Sequence, residues 1–150
     1  MTKVFLSLNF MYCMERFATQ IYRSQRPSFV RSPPFQQLTD ASENERTHVH
    51  KLQTRIGQLN GRVYPFGFLF QLAGHILGFV TRLCGKRNLF KADLFVETRA
   101  VRDYGGFLRS VPFDSDTVDL LKGIIADEER HIANWRKAVE SPEPKAPPNA

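Results

Sequence analysis

Two short segments of the sequence each place a glutamate and a histidine one helical turn apart. Glu45 and His48 form the first Glu-x-x-His motif, and Glu128 and His131 form the second. On an α-helix, three residues advance by about 300° and about 4.5 Å, so the two side chains reach one point beside the helix. A carboxylate and an imidazole that converge in this way are able to bind a metal ion. A single copy of this motif more often lies on a solvated helix face, so the second copy strengthens the prediction of a metal site.

A further glutamate lies upstream of each motif. Glu15 precedes the first motif by 30 residues, and Glu97 precedes the second by 31. Each of the two is followed seven residues later by a tyrosine, Tyr22 or Tyr104, which is two helical turns and therefore the same helix face. The chain thus reads as two helical hairpins, each with one lone glutamate and one Glu-x-x-His motif.

This set of residues matches the ligands of ferritin-like di-iron carboxylate bundles. Four carboxylates carry four negative charges, which two ferrous ions would neutralise. The predicted metal ligands are Glu15, Glu45, His48, Glu97, Glu128 and His131. The alternative is a set of buried salt bridges between these carboxylates and the neighbouring arginines Arg16, Arg46, Arg99 and Arg130. Those arginines lie mostly off the inner helix faces, which favours the metal site.

Apolar residues follow the spacing of one helix face in four segments. The predicted helices run from 4 to 25, from 32 to about 59, from about 88 to the turn at 112, and from 114 to about 139. The predicted ligands interrupt these apolar faces, where an unpaired carboxylate would be costly. We therefore predict an all-α fold, a ferritin-like four-helix bundle with a hydrophobic helical crossover between the second and third helices.

The predicted crossover, residues 63–81, contains no charged side chain. Nineteen uncharged residues approach the length of a membrane span. A span would, however, place the second and third helices on opposite sides of the membrane and break the four-helix site. We expect a segment that lies in the membrane interface, with flanking basic residues near anionic head groups. A crossover buried on the bundle is the alternative.

Length and charge limit the number of domains and the classes of binding partner. Residues 1–140 are predicted to form one di-iron domain, and the proline-rich residues 141–150 a disordered tail. The net charge of +6 suits an anionic membrane surface or a nucleic acid. Nucleic acid is not an expected partner, because the sequence has no zinc knuckle, RNP-like aromatic box or arginine-rich run. Cys13 and Cys84 form no motif, and the N-terminal residues are expected to begin the first helix and not a signal peptide.

At these motifs the chain resembles the demethoxyubiquinone hydroxylase family of membrane-associated di-iron proteins. The resemblance covers roughly residues 12–139. The matching segments are Glu15 with residues 21–25, residues 45–48, residues 84–86 at the end of the glycine-rich crossover, residues 96–97 with Tyr104, and residues 127–131.

The resemblance implies a reaction and a cofactor. The reaction is the oxygen-dependent hydroxylation of a polyprenyl benzoquinone ring late in ubiquinone biosynthesis, with two iron ions and with reduced nicotinamide as the electron source. The implied bridging ligands are Glu45 and Glu128, and the implied end ligands are Glu15 with His48 and Glu97 with His131. Tyr22 and Tyr104 are the candidate catalytic residues, as hydrogen-bond donors beside the ligands. Both are equally suited to an amphipathic core role.

The expected partners follow from the same resemblance. They are a polyprenyl quinone substrate, a membrane surface contacted peripherally, and either other ubiquinone-biosynthesis proteins or further copies of the chain. The expected location is the cytoplasmic side of a bacterial plasma membrane or the matrix side of the mitochondrial inner membrane.

The sequence departs from the family pattern at several positions. Met14 replaces the usual glycine before the first ligand, Asp103 the usual histidine before Tyr104, and Phe107 a frequent glutamine. The proline-rich tail stands where the family continues with apolar helical sequence. None of these changes removes a predicted ligand, but Asp103 bears on how electrons enter. Two other functions are compatible with the sequence: a ferritin-like peroxidase or ferroxidase, and a non-catalytic quinone-binding relative or scaffold.

Overall fold

The computed structural model describes residues 3–141, which form helices joined by short connections. The helices are α1 (Lys3–Gln25), a short 3-10 helix (Arg26–Phe29), α2 (Pro33–Gln58), α3 (Gly67–Leu83), α4 (Lys86–Ser110) and α5 (Ser115–Glu140). The predicted all-helical fold, with a helical crossover between the second and third long helices, is confirmed. The proline-rich tail was predicted over residues 141–150, of which only Ser141 is among the described residues, so the tail stays a prediction.

Two hydrophobic clusters fill the bundle, one on each side of its middle. The first centres on Leu8, Met11, Leu52, Ile56, Leu121 and Ile124, and the second on Ile21, Leu38, Phe90 and Trp135. The chain passes from the first cluster to the second in α1 and α5, and in the opposite order in α2 and α4. Helices α2 and α4 therefore run in the same direction. Two consecutive parallel helices need a long connection, which α3 provides.

Glycines on α3 allow it to approach α1 closely. A Cβ atom at Gly78 would lie 2.6 Å from the carbonyl oxygen of Ile21, and one at Gly74 would overlap the carbonyl oxygen of Phe17. The glycine side of α3 thus packs on α1, which is buried between α3 and the rest of the bundle. None of the helices within residues 3–141 is long and apolar enough to cross a bilayer.

The opposite side of α3 is exposed and apolar. This α3 apolar face consists of Phe68, Leu69, Leu72, Ile76, Phe79, Val80 and Leu83. The crossover therefore combines the two arrangements that the sequence left open, since one side is packed on the bundle and the other side is free.

Local sequence signals set the helix ends. The side chain of Asp114 accepts a hydrogen bond of 2.9 Å from the backbone N–H of Thr117 and so caps the N-terminus of α5. Gly85 precedes α4 with a φ of 81°, a conformation that favours glycine. Asn9 of α1 accepts a hydrogen bond of 2.6 Å from the N–H of Tyr64 and so holds the loop before α3.

Candidate metal centre

The six predicted ligands converge in the middle of the bundle, between the two hydrophobic clusters. Each comes from the middle of its helix, and none is more than 9% exposed. Glu15 lies on α1, Glu45 and His48 on α2, Glu97 on α4, and Glu128 and His131 on α5. The helical spacing that predicted a shared point therefore operates twice, once in each hairpin.

His48 faces three of the carboxylates. Its Nδ1 atom lies 3.1 Å from Glu128 Oε1, 3.4 Å from Glu15 Oε2 and 3.5 Å from Glu45 Oε2. Glu128 belongs to the other hairpin, so the first half of the centre is already built from both halves of the chain.

His131 faces the remaining carboxylate and the same two shared ones. Its Nδ1 atom lies 3.1 Å from Glu45 Oε1, 3.2 Å from Glu97 Oε1 and 3.2 Å from Glu128 Oε2. Glu45 and Glu128 thus each direct one carboxylate oxygen toward His48 and the other toward His131. This is the placement that bridging carboxylates between two metal ions would need.

The donor atoms form two overlapping groups, each of which fits a metal ion. The first contains Glu15, Glu45, His48 and Glu128, and the second contains Glu45, Glu97, Glu128 and His131; within each group the donor atoms lie within 4.8 Å of one another. Several of these buried oxygens, both of Glu45 among them, have no hydrogen-bond partner. A buried carboxylate oxygen without a donor is costly, and a bound cation would satisfy it. Carboxylates with imidazoles suit divalent iron or manganese.

The same burial perturbs the protonation of the centre. Burial, followed by the charges of Glu128 and Glu15, raises the pKa of Glu45. Burial also raises the pKa of Glu97 to about 8. Burial alone would lower the pKa of His131, but its hydrogen bond with Glu128 and the neighbouring carboxylates of Glu45 and Glu97 outweigh burial and raise that pKa to about 12. Without metal the centre therefore retains protons, which a cation must displace.

The two predicted tyrosines donate hydrogen bonds to the centre, and both bonds cross between the hairpins. The Tyr22 hydroxyl donates to Glu97, and the Tyr104 hydroxyl donates to Glu15. Burial, and then the charge of the accepting glutamate, raises the pKa of each phenol well above its usual value. Both hydroxyls therefore stay protonated and hold the two end carboxylates in place.

The comparison with known families agrees with this geometry. The family model described as "Ubiquinone biosynthesis protein COQ7" matches residues 13–149, nearly the whole chain. The chain belongs to the COQ7 family. Membership places it in ubiquinone biosynthesis and confirms the ferritin-like helical fold class. No curated protein matches the chain significantly.

One side chain that contacts the centre of this COQ7 chain was not predicted from the sequence. Asp127 Oδ2 lies 2.9 Å from the Nε2 atom of His48, on the ring edge opposite the carboxylates. Arg130 also pairs with Asp127. Burial opposes ionisation of Asp127, but the hydrogen bond from His48 prevails and lowers its pKa. A histidine that binds metal commonly donates its other ring N–H to a carboxylate, which fixes the ring orientation.

The alternative of buried salt bridges does not hold for the described part of the chain. Arg46 pairs with Glu43 at the surface, Arg99 with Asp103, and Arg130 with Asp127. Arg16 donates to Tyr12 and Gln71. The ligand carboxylates therefore have no arginine partner within residues 3–141, and the histidines and tyrosines are their neighbours.

The departures from the COQ7 pattern lie around the centre and not within it. The single Nε–H of Arg99 is shared between the two carboxylate oxygens of Asp103, at 2.8 and 3.0 Å, at the surface of α4. Phe107 packs edge-to-face on Phe10, with ring centroids 5.8 Å apart. Met14 is half-buried beside Glu15. None of the three belongs to either group of donor atoms.

Proposed function

We propose that this COQ7 family member is a di-iron monooxygenase that hydroxylates the ring of a demethoxy polyprenyl benzoquinone. The observation that carries the proposal is the pair of buried carboxylates, Glu45 and Glu128, each of which directs one oxygen toward His48 and the other toward His131. This arrangement supports two metal ions at a shared bridge, with Glu15 and Glu97 as the end ligands.

Two bound ferrous ions would supply the electrons that activate O₂. One oxygen atom would be inserted into a ring C–H bond and the other would leave as water. Reduced nicotinamide would supply two electrons and one proton, and the solvent would supply the second proton. The two hydrophobic clusters lie on either side of the centre and would limit the access of bulk water along the bundle. Tyr22 and Tyr104 hold the end carboxylates through hydrogen bonds, and Asp127 holds the His48 ring.

The α3 apolar face supports peripheral attachment to a membrane. Its seven large apolar side chains are each between 47% and 74% exposed, and they lie along one side of one helix. A contiguous apolar surface of this kind marks a membrane or protein contact. A polyprenyl quinone resides in the bilayer, so attachment through α3 would let the isoprenoid tail stay in lipid while the ring enters the bundle.

Metal analysis of single variants tests the proposed ligands. Glu128→Ala removes one bridge and should abolish binding of the metal pair, because each metal position uses this carboxylate. Glu129→Ala is the matched control, since Glu129 is the exposed neighbour on the same helix and should leave two iron ions per chain. Full iron occupancy in Glu128→Ala would refute the assignment.

The quinone profile of cells that lack this chain tests the reaction. We expect accumulation of the demethoxy quinone and its disappearance when the wild-type chain, but not Glu128→Ala, is restored. An unchanged profile together with normal iron binding would favour a peroxidase or ferroxidase. An unchanged profile without iron binding would favour a non-catalytic quinone-binding relative.

A further inference from the structure

A basic pocket of about 350 Å³ lies where the C-terminal parts of α1 and α3 meet. Arg23, Arg26 and Arg82 line this arginine pocket together with His75 and Phe79, and no carboxylate is among its lining residues. Within residues 3–141, none of the three arginines forms an ion pair with an acidic side chain. Three arginines therefore line one cavity without a carboxylate beside them, and like charges in this arrangement repel one another.

Contacts with neighbouring groups position two of these guanidinium groups and leave most of their donors unused. The Arg82 guanidinium carbon lies 5.8 Å from the centroid of the Phe79 ring, and Arg82 Nε donates a hydrogen bond of 3.1 Å to Ser28. Arg26 lies 5.8 Å from the centroid of the Phe35 ring, and its buried Nε has no partner. Each guanidinium carries five N–H donors in a planar fork that matches the oxygens of a phosphate.

Helix ends account for only part of this arrangement. Arg23 lies in the last turn of α1 and Arg82 in the last turn of α3, where the negative end of a helix dipole favours a cation. That effect does not pair any N–H donor. It also does not explain why Arg26, in the following 3-10 helix, joins the other two.

We propose that the arginine pocket binds the phosphate group of an anionic phospholipid. Phe79 belongs both to the pocket wall and to the α3 apolar face, so the site for an anion is continuous with an exposed apolar surface. A phospholipid presents the same combination, a charged phosphate next to acyl chains. The proposal rests on the proposed attachment of α3 to a membrane and adds a specific headgroup contact to it.

Vesicle flotation tests the pocket with the full-length protein. Binding is compared between phosphatidylcholine vesicles and vesicles that also contain phosphatidylglycerol. Since a basic residue near an anionic leaflet strengthens binding about fivefold, the double variant Arg23→Gln/Arg82→Gln should bind the anionic vesicles roughly 30-fold more weakly. The matched control Lys122→Gln/Arg136→Gln removes the same charge from exposed positions on α5 and should change binding less than about twofold.

The outcomes separate the pocket from membrane attachment itself. Equal wild-type binding to both kinds of vesicle would overturn the headgroup contact and leave the attachment of α3 intact. Binding to neither would overturn the attachment on which the proposal rests. If the control variant loses as much vesicle binding as the pocket variant, net charge and not the pocket causes the loss, and the proposed headgroup contact is overturned. Circular dichroism should show the same helix content in all three proteins, so that a loss of binding is not a loss of folding.

A soluble anion is distinguished by a measurement without vesicles. Inorganic phosphate, compared with chloride at equal ionic strength, should raise the thermal midpoint of wild type and of Arg23→Gln/Arg82→Gln by the same amount. A larger rise in wild type would assign the pocket to a soluble phosphate compound and overturn its assignment to a lipid.

Discussion

Asp93 carries a pH dependence that one substitution should remove. It is fully buried on α4 outside the metal centre, and Gln25 Nε2 donates hydrogen bonds to Asp93 Oδ1 at 2.7 Å and to Thr81 Oγ1 at 3.0 Å. Burial raises the pKa of Asp93 from 3.8 to about 8, although the bond from Gln25 lowers it in part. Both Asp93 Oδ2 and Gln25 Oε1 lack a donor, and a proton on Asp93 supplies one.

The direction of this pH dependence follows from the uptake of a proton by Asp93 on folding. Between pH 3.8 and about 8 the folded protein holds a proton on Asp93 that the unfolded chain has lost, so this group makes stability fall as pH rises through that window. At pH 7 the solution is about three pH units above the pKa of Asp93 in the unfolded chain, and each unit corresponds to about 1.4 kcal/mol. Asp93 therefore lowers the free energy of unfolding at pH 7 by at most about 4 kcal/mol. Relaxation around the carboxylate reduces it, and we expect about 1–3 kcal/mol.

Asp93→Asn should therefore stabilise the protein at pH 7 and above. The neutral amide keeps an acceptor for Gln25 and adds the donor that the protonated acid provides. Asp40→Asn is the matched control, because Gln36 donates to Asp40 in the same way, at 2.6 Å, on the exposed surface of α2. The change there should be within about 0.5 kcal/mol.

Urea unfolding of the variant and wild type from pH 4 to 9 measures this effect. The metal centre adds its own pH dependence to both proteins, so the difference between them isolates Asp93. The expected difference is close to zero at pH 4, grows as pH rises, and becomes constant above pH 8. A constant difference over the whole range, or a destabilised variant at pH 8, would refute the reasoning.

Three further predictions concern metal binding, the crossover and the membrane. Metal binding should release protons, because the carboxylates raise the pKa of both histidines, and the metal affinity should therefore rise with pH through neutrality. Calorimetry in two buffers of different ionisation enthalpy measures the number of protons released. Metal binding without proton release would contradict this prediction. Gly74→Ala should lower the free energy of unfolding by about 1–3 kcal/mol, because the added Cβ atom clashes with α1. In the control Gly123→Ala the Cβ atom meets nothing within 4 Å, and the free energy of unfolding should rise by up to about 1 kcal/mol. Equal effects of the two substitutions in urea unfolding would contradict close packing of α3 on α1. Replacing Phe68, Leu69 and Phe79 with Ser should release the protein from vesicles, because each large apolar side chain contributes roughly 1.5–3 kcal/mol when buried; retention on the vesicles would show that α3 is not the contact.

The sequence alone was sufficient to predict the helices and the convergence of the six carboxylate and imidazole side chains that they carry. Glu-x-x-His is a local pattern, and helical geometry converts its spacing into a direction without any tertiary information. The N-cap at Asp114 was predictable for the same reason, since its partner Thr117 is three residues away. Repetition of the pattern in two halves then indicated that the halves face each other, which the convergence of His48 and Glu128 bears out.

Contacts between helices were decided only by the tertiary structure. Tyr22 and Tyr104 were predicted to lie near the ligands, but each bonds to the glutamate of the opposite hairpin, because the hairpins pack face to face. Asp127 was not predicted as a partner of His48, since 79 residues separate them. No spacing rule connects side chains on different helices.

Burial by α3 was likewise beyond the sequence pattern. Gln25 of α1 donates hydrogen bonds to Thr81 of α3 and to Asp93 of α4, so this buried polar group joins three helices, which the spacing of residues on one helix cannot predict. The charge-free sequence of the crossover predicted an apolar helix, but it did not fix which side would be covered. That choice depends on the backbone of α1, which only a side without Cβ atoms, at Gly74 and Gly78, can approach.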